Sequence, residues 1–361
     1  MKKNLLDILA CPGCGSSFVP TVFREENFAA NEIMDGMLRC RQCSKNYPII
    51  DGIPRFVPNA LASNPGFLEK YPAVIDSAAK KEFLKVHGST QERFSYEWMK
   101  YPGRLEEDKE VFLNETQIDA AEWNGKRVLD GGCGMGRYSM AAHELGADVV
   151  AMDIGTALVR LWEAAKASAR MHIVQGDLMS PPFKEKSFDI VYSVGVIHHT
   201  PSAAKAFKNI SALVRSGGKL SVWVYGAPGS YKNFKTNPLR EDRKSLSKIR
   251  FLVWLTVWLR EKISDTLRIF TVHMPHNILY YGLCYILAGI GKIPLVKYLT
   301  FSVHPLWRVR LQENFDWLTP PYQSHHTKEE VIRWFQDNGF EVQKVLPHGF
   351  VPKPGAVGAR K

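Results

Sequence analysis

Between residues 127 and 225 apolar and polar positions fall into short blocks. "RVLDG" is an apolar run closed by Asp130, and "ADVVAMD" is another, closed by Asp153; "MHIVQGDL", "SFDIVYSVGVIHH" and "GGKLSVWVY" complete the set. Continuous apolar runs of this length predict strands buried on both faces. Between them lie stretches with helical spacing: "RYSMAAHELGA", a segment rich in Ala and Leu through Ala169, and "AAKAFKNISALV". Strands alternating with helices predict an α/β fold with a parallel, doubly wound sheet. In such a sheet the ligand lies beyond the carboxyl ends of the strands, which places Asp130, Asp153, Asp177 and His198 along one edge.

The turn after the first predicted strand holds Gly131, Gly132, Gly134 and Gly136. Glycines are needed where backbone takes positive φ or comes close to another group. The spacing Gly132-x-Gly134-x-Gly136 differs from the G-x-G-x-x-G of dinucleotide sites, so a pyrophosphate is not the expected ligand.

Outside this region the pattern changes. From about residue 59 to 126 periodicity fades, and Pro58, Pro65 and Pro72 mark a linker. "QERFSYEWMKYPG" puts Phe94 and Trp98 at i, i+4 on a predicted helix, where core packing is expected; Tyr96 and Trp98 are candidates to cover a ligand. "FEVQKVL" reads as a sixth strand of the α/β unit and "GAVGARK" as a seventh. Ahead of them, Thr327 and Glu330 form a capping box opening a helix, which leaves His325, His326 and Tyr322 on a preceding loop. Between the fifth and sixth strands stand some ninety extra residues with two apolar blocks, "FLVWLTVWL" and an uncharged stretch from Ile269 to Gly291. A membrane span needs ~20 predominantly apolar residues. The first block is too short, and the second contains Pro275, Asn277 and two histidines, so no transmembrane segment is expected. The insertion reads either as a helical cap packed on the core or as a lid over an acyl- or polyprenyl-bearing acceptor touching an anionic membrane surface. The predicted organisation is therefore 1–58, a linker with helices over 59–110, a core over 111–226, a helical insertion over 227–318, and the rest of the core over 319–361.

Charge sharpens this picture. The formal net charge is +11, which suits an anionic partner. The insertion holds 14 Lys and Arg against 6 Asp and Glu, a balance of +8. The opening "MKKNLLDILACPGC" has a short apolar stretch interrupted by Asp7, a poor signal peptide, and a cytoplasmic location is expected. Of the six cysteines, Cys11 and Cys14 form one C-x-x-C and Cys40 and Cys43 another. Two such knuckles can supply four thiolates to a structural Zn2+. Two disulfides or a redox pair are the alternatives; the first fits poorly with the absence of a secretion signal. Cys133 and Cys284 stand alone and read as small apolar residues.

Two resemblances join these observations. "LLDILACPGCGSSF" with "LRCRQCSKNYPIIDGIPRFV" resembles the zinc-ribbon family that includes the activator subunit of several tRNA and protein methyltransferases, over residues 1 to about 58. That implies a docking or stabilising module without catalytic chemistry. From about Phe94 to Tyr225 the chain resembles class I S-adenosylmethionine-dependent methyltransferases, of the type 11 kind. "VLDGGCGMGRYS" matches their first motif; Asp153 matches the acid that holds both ribose hydroxyls, and Asp177 the acid set against the adenine amino group. The resemblance thus implies a Rossmann-like methyltransferase sheet with Asp130, Gly132, Gly134, Gly136, Asp153, Ile154, Asp177, Leu178 and Ser193 around S-adenosyl-L-methionine. His198 and His199, with His326, are the candidates for substrate positioning or general base.

Three functions follow as expectations. The first is methylation of a small-molecule, sugar or lipid-linked acceptor. The second is an RNA methyltransferase gripping its target with the zinc ribbon and basic surface; the basic excess lies in an apolar insertion, and no Asn/Asp-Pro-Pro-Tyr/Phe motif is present, so nucleic acid is the weaker expectation. The third is a cofactor-binding scaffold without turnover.

Overall fold

The computed structural model describes residues 1–72, 84–101, 103, 105–227, 250–293, 300–302, 304–346 and 353–361, with the side chains of 250–254 and 257 excepted. Much of the basic run after residue 227 lies outside them.

The chain begins with an antiparallel sheet in the order β1 (Phe18–Asn27), β2 (Asn31–Cys40), β3 (Asn46–Ile50) and β4 (Ile53–Pro54). The main sheet contains β5 (Arg127–Gly131), β6 (Asp148–Asp153), β7 (Met171–Gln175), β8 (Phe188–Val194), β9 (Val214–Trp223), β10 (Phe340–Val345) and β11 (Gly355–Arg360), in the order β10-β11-β9-β8-β5-β6-β7. The five strands β5 to β9 are parallel, as their continuous apolar runs predict. The last strand, β11, is antiparallel to both neighbours and fills the space between β9 and β10. From β5 the chain moves outward to β6 and β7, then returns across β5 to β8. The crevice at the ends of β5 and β8 is therefore the topological switch point, where such sheets take ligands.

The helices that matter for the site are α1 (Ser89–Lys100), α2 (Arg137–Glu144), α3 (Ala203–Ala212), α4 (Arg250–Thr271), α5 (Trp307–Leu318) and α6 (Lys328–Asp337). In α3 the Ser202 side chain caps the first turn, and Ala203, Ala206, Phe207 and Ile210 form the buried stripe that packs on the sheet. In α6 the Thr327 hydroxyl accepts the Glu330 N–H at 3.1 Å, the first half of the expected capping box. The Glu330 carboxylate goes instead to His326 Nδ1, at 2.9 Å. After β6 the anticipated long helix is two short turns, Ala157–Leu161 and Trp162–Lys166.

The small sheet is built into the large one. Arg55, just after β4, pairs alongside Gln175 of β7, the Phe56 N–H donates to the Gln175 carbonyl at 2.7 Å, and the Arg55 guanidinium donates to the Gln175 side chain at 2.9 Å. The Lys2 ammonium is buried between the two, donating to the carbonyls of Ala165 and Met171 and paired with Glu32. The first 58 residues thus cover the β7 edge, which is otherwise open to further strand pairing. The described part of the insertion is helical, as expected, and no helix among the described residues is long and apolar enough to cross a membrane.

Candidate active site

The four cysteines come together. Their sulfur atoms all lie within 4.8 Å of one another, with Cys11 to Cys43 at 3.6 Å and Cys14 to Cys40 at 3.4 Å. Four thiolates at about 2.3 Å from one zinc stand about 3.8 Å apart, so the set fits a tetrahedral ion. Although desolvation opposes ionisation, the backbone N–H groups of Cys43 and Gln42 bring the Cys40 thiol down to about 6.

The glycine turn leads from β5 into α2. Gly136 has φ +88°, and a Cβ there would stand 2.2 Å from Leu161. Gly134 has φ +55° and lies so close beneath the Trp98 indole of α1 that a Cβ would meet the ring at 2.8 Å. Its N–H donates to Asp153 Oδ2 at 2.8 Å. The turn therefore needs glycine because protein side chains pack onto it, and its backbone ties the ends of β5 and β6 together.

Beyond the strand ends lies a cavity of about 510 Å³, a size suited to a cofactor or drug-sized ligand. Asp130, Gly132, Asp153, Ile154, Asp177 and Leu178 line it, drawn from the ends of β5, β6 and β7. Asp130 accepts the Ser139 hydroxyl of α2 at 2.6 Å, and burial pushes its carboxyl up to about 7. Asp153 accepts two turn N–H groups, from Gly134 and from Gly155, the latter at 2.6 Å; burial raises it too. Asp177 accepts the Met179 N–H at 2.8 Å, stands 3.4 Å from His87, and is raised by desolvation. Three part-desolvated carboxylates on one rim favour a cationic or donor-rich ligand.

Other anticipated residues are not on the cavity wall. Gly134 and Gly136 lie behind it. Ser193 is fully buried, its hydroxyl donating to the Gly131 carbonyl at 2.7 Å, a bond that joins β8 to β5. His198 is buried with neither ring nitrogen hydrogen-bonded, its ring centroid 4.0 Å from those of Tyr225 and His199, and it does not line the cavity. His326 is held between Glu330 and Ser324 and packs on Trp334; its backbone N–H donates to the Tyr225 carbonyl at 2.9 Å, so it anchors the segment just after β9 and does not line the cavity. His199 does line the cavity. Its Nδ1 meets the Tyr322 carbonyl at 3.1 Å and so carries the proton, and its buried Nε2 has no partner. Burial drives this imidazole down to about 3, which makes it a weak base held neutral.

Two further carboxyl groups with raised pKa, outside the expected set, line the same cavity. Thr90, Phe94, Glu97 and Trp98 of α1, with Tyr101 just after it, recur at helical spacing and line the cavity. On α5, Val309, Gln312, Glu313, Asp316 and Trp317 do the same. Glu97 is buried with Oε2 unpaired; desolvation, reinforced by the nearby Asp316 charge, raises its carboxyl well above the usual range. Asp316 is raised to about 6 by desolvation, against the hydrogen bond that Tyr225 Oη donates to it at 2.9 Å. The Tyr225 ring is stacked on Trp317 at 5.1 Å. The signal was present in "RFSYEW" and "QENFDW": a carboxylate on the aromatic stripe of each helix, where a core stripe would be apolar throughout.

Residues 129–222 match the family model described as a methyltransferase domain, and residues 2–52 match that of Trm112p-like protein. The chain carries a methyltransferase domain. This domain spans the five parallel strands with their cavity-lining Asp130, Asp153 and Asp177. It is 31% identical over 115 residues to a sterol 24-C-methyltransferase of Gibberella zeae, covering 30% of each chain. It is similar at 34% over 101 residues to a malonyl-[acyl-carrier protein] O-methyltransferase of Enterobacter lignolyticus, covering 28% of this chain and 39% of that one. A tRNA (carboxymethyluridine(34)-5-O)-methyltransferase of Xenopus tropicalis is 30% identical over 124 residues, 34% of this chain and 19% of its own. The chain thus spans well under half the length of these relatives. Their names give three unlike acceptors for one kind of methyltransferase domain, and Glu97 and Asp316 lie outside the matched 129–222 segment.

Proposed function

We propose that this chain is an S-adenosylmethionine-dependent methyltransferase whose acceptor is a hydroxyl-bearing small molecule or lipid-linked compound. The observation that carries the reading is a single cavity. It brings Asp130, Asp153 and Asp177 at the strand ends together with Glu97, Asp316 and Tyr225. The cofactor supplies an electrophilic methyl group on a sulfonium cation. On this chain Asp153 is placed for the ribose hydroxyls, since a carboxylate oxygen can accept more than one hydrogen bond, and Asp177 for the adenine amino group. Trp98 and Phe94 of α1 exclude water from the cavity. Asp316 takes the proton of an acceptor hydroxyl, because a carboxyl near 6 is ionised at neutral pH yet more basic than an exposed one. Tyr225 orients it. His199 positions the acceptor rather than serving as base.

The cavity wall contains ten Asp and Glu against three Lys and Arg, opposite in sign to the chain as a whole. Phosphate-rich acceptors are disfavoured there. This weighs against the RNA reading, which the Trm112p-like segment and the tRNA-modifying relative favour. We also infer one structural zinc on Cys11, Cys14, Cys40 and Cys43. The test is calorimetric titration of S-adenosylmethionine into the protein and into Asp153→Ala, with zinc measured in the same samples. Micromolar binding lost by at least ~tenfold in the variant supports the reading, since two hydroxyl contacts to a charged group are worth more than ~1.4 kcal/mol. No binding by the folded, zinc-loaded protein overturns it.

A further inference from the structure

Among the described residues the most exposed large apolar side chains fall almost entirely in one stretch of the chain. Among the described residues nine large apolar side chains are at least half exposed, and all but Met99 lie between Ile269 and Leu306. Phe270 and Ile269 are the most exposed of all, at 67% and 63%. They end α4, which is followed by a second helical run, His276–Ile290, whose middle portion, Leu279–Cys284, is a π-helix. Leu279, Tyr280, Cys284 and Ala288 of that run are buried, with Tyr280 against Tyr96 of α1 and Phe315 of α5. Ile278, Tyr281, Tyr285 and Ile286 point the other way and are half exposed or more. No Asp, Glu, Lys or Arg occurs from Ile269 to Gly291. A helix that is apolar on all sides needs cover on all sides, and the core supplies only one.

The surrounding charge says what covers the other. Lys100, Lys262 and Lys292 are exposed around this face. Lys100 donates to Tyr281 Oη at 2.8 Å, and Lys292 lies over the Trp307 ring. Of the carboxylates nearby, Asp265 pairs with Arg268 and Glu261 is buried, while Glu92 and Glu107 are exposed, at 3.6 and 3.5 Å from His276 and His304. An apolar face with amphipathic tyrosines and a cationic margin matches the boundary between acyl chains and anionic headgroups. A second copy of the chain fits less well, because two-fold pairing of this face would set its own lysines against each other.

We propose that this face docks on an anionic phospholipid bilayer, lying in the interface without crossing it. The helical run that would touch the lipid packs on α1 and α5, whose inner stripes line the cavity. It would therefore bring a lipid-linked acceptor to the methyltransferase domain from the bilayer; only this last point rests on the function proposed above.

The experiment is flotation of the full-length chain with vesicles of phosphatidylcholine alone or phosphatidylcholine with phosphatidylglycerol, at low and high salt and without cofactor. The wild type is expected to float with the anionic vesicles and to lose most of that binding in high salt or on neutral vesicles. Phe270→Glu with Ile286→Glu should weaken vesicle binding about tenfold or more. Lys262→Glu with Lys292→Glu should abolish the preference for anionic lipid. Both pairs should keep wild-type affinity for S-adenosylmethionine, which shows them folded and separates failure of docking from failure of the methyl-transfer reading. No flotation with either vesicle overturns the proposal. So does a wild-type dimer in light scattering that Ile286→Glu dissociates, since the face then belongs to a second copy.

Discussion

Single positions in the glycine turn and in the acidic wall answer to different forces. At Gly136 both backbone and space demand glycine: φ is +88°, and Leu161 fills the room a methyl group would need. Gly136→Ala should cost about 2–4 kcal/mol through strain and overpacking together, seen as a fall of several degrees in Tm; an unchanged Tm would contradict the packing described. At Asp316 the force is desolvation. Burial raises its carboxyl from the ordinary aspartate range to about 6, so between the two the folded state binds the extra proton. The stability this gives is present at low pH and lost as pH rises through about 6. Asp316→Asn removes that loss, so the variant should gain on the wild type by on the order of 2–3 kcal/mol between pH 4 and 7. Denaturation midpoints of both proteins at the two pH values check it; parallel pH curves would refute it. Asp130 and Asp153 were legible because each closes an apolar run, and Asp177 because it follows another by a short Gln-Gly turn, positions defined by local pattern. Glu97 and Asp316 were not. They meet only because α1 and α5, more than two hundred residues apart in the chain, turn their stripes toward the same space. The histidine pair shows the converse: adjacent in sequence, His199 reaches the cavity while His198 is sealed beneath Tyr225.

Among elements, the small sheet at the start of the chain was the most readable, because a fourfold thiolate set fixes its own spacing. What spacing alone did not show is that it completes the edge of the large sheet. Its contact with β7 runs through Arg55, Phe56 and Lys2, none of them marked by a motif. Removing the zinc proposed for these four cysteines should therefore be felt beyond the knuckles. Chelation, or Cys14→Ser with Cys43→Ser, is expected to lower Tm and to raise amide exchange in β7 as well as in β1 to β3. Exchange that rises in the small sheet alone would show that the two sheets are energetically separate. The alternation of strands with helices foretold the five parallel strands well, since buried parallel strands must be apolar throughout. It was less able to give helix length after β6, where Gly155 and the short turns hold the chain close to Gln91 and Ser95 of α1.

At the scale of the molecule, charge and apolar surface are sorted rather than mixed. The chain is basic overall, the cavity is acidic, and the most exposed apolar side chains belong to the helical insertion. Net charge read from sequence averages over these regions, and it pointed to an anionic partner without saying that the ligand space has the opposite sign. The strand order also bears on how the molecule is made. β11 lies between β9 and β10, yet its first residue follows the last of β9 by 132 positions. At ribosomal rates of 5–20 residues per second, the flank of β9 stays open for roughly ten seconds while the helical insertion and α6 emerge. For that interval a nascent chain carries an unpaired strand edge beside a freshly made apolar cap. The protein's most vulnerable moment in the cell is thus set by topology, and it falls before the seam in its sheet is stitched.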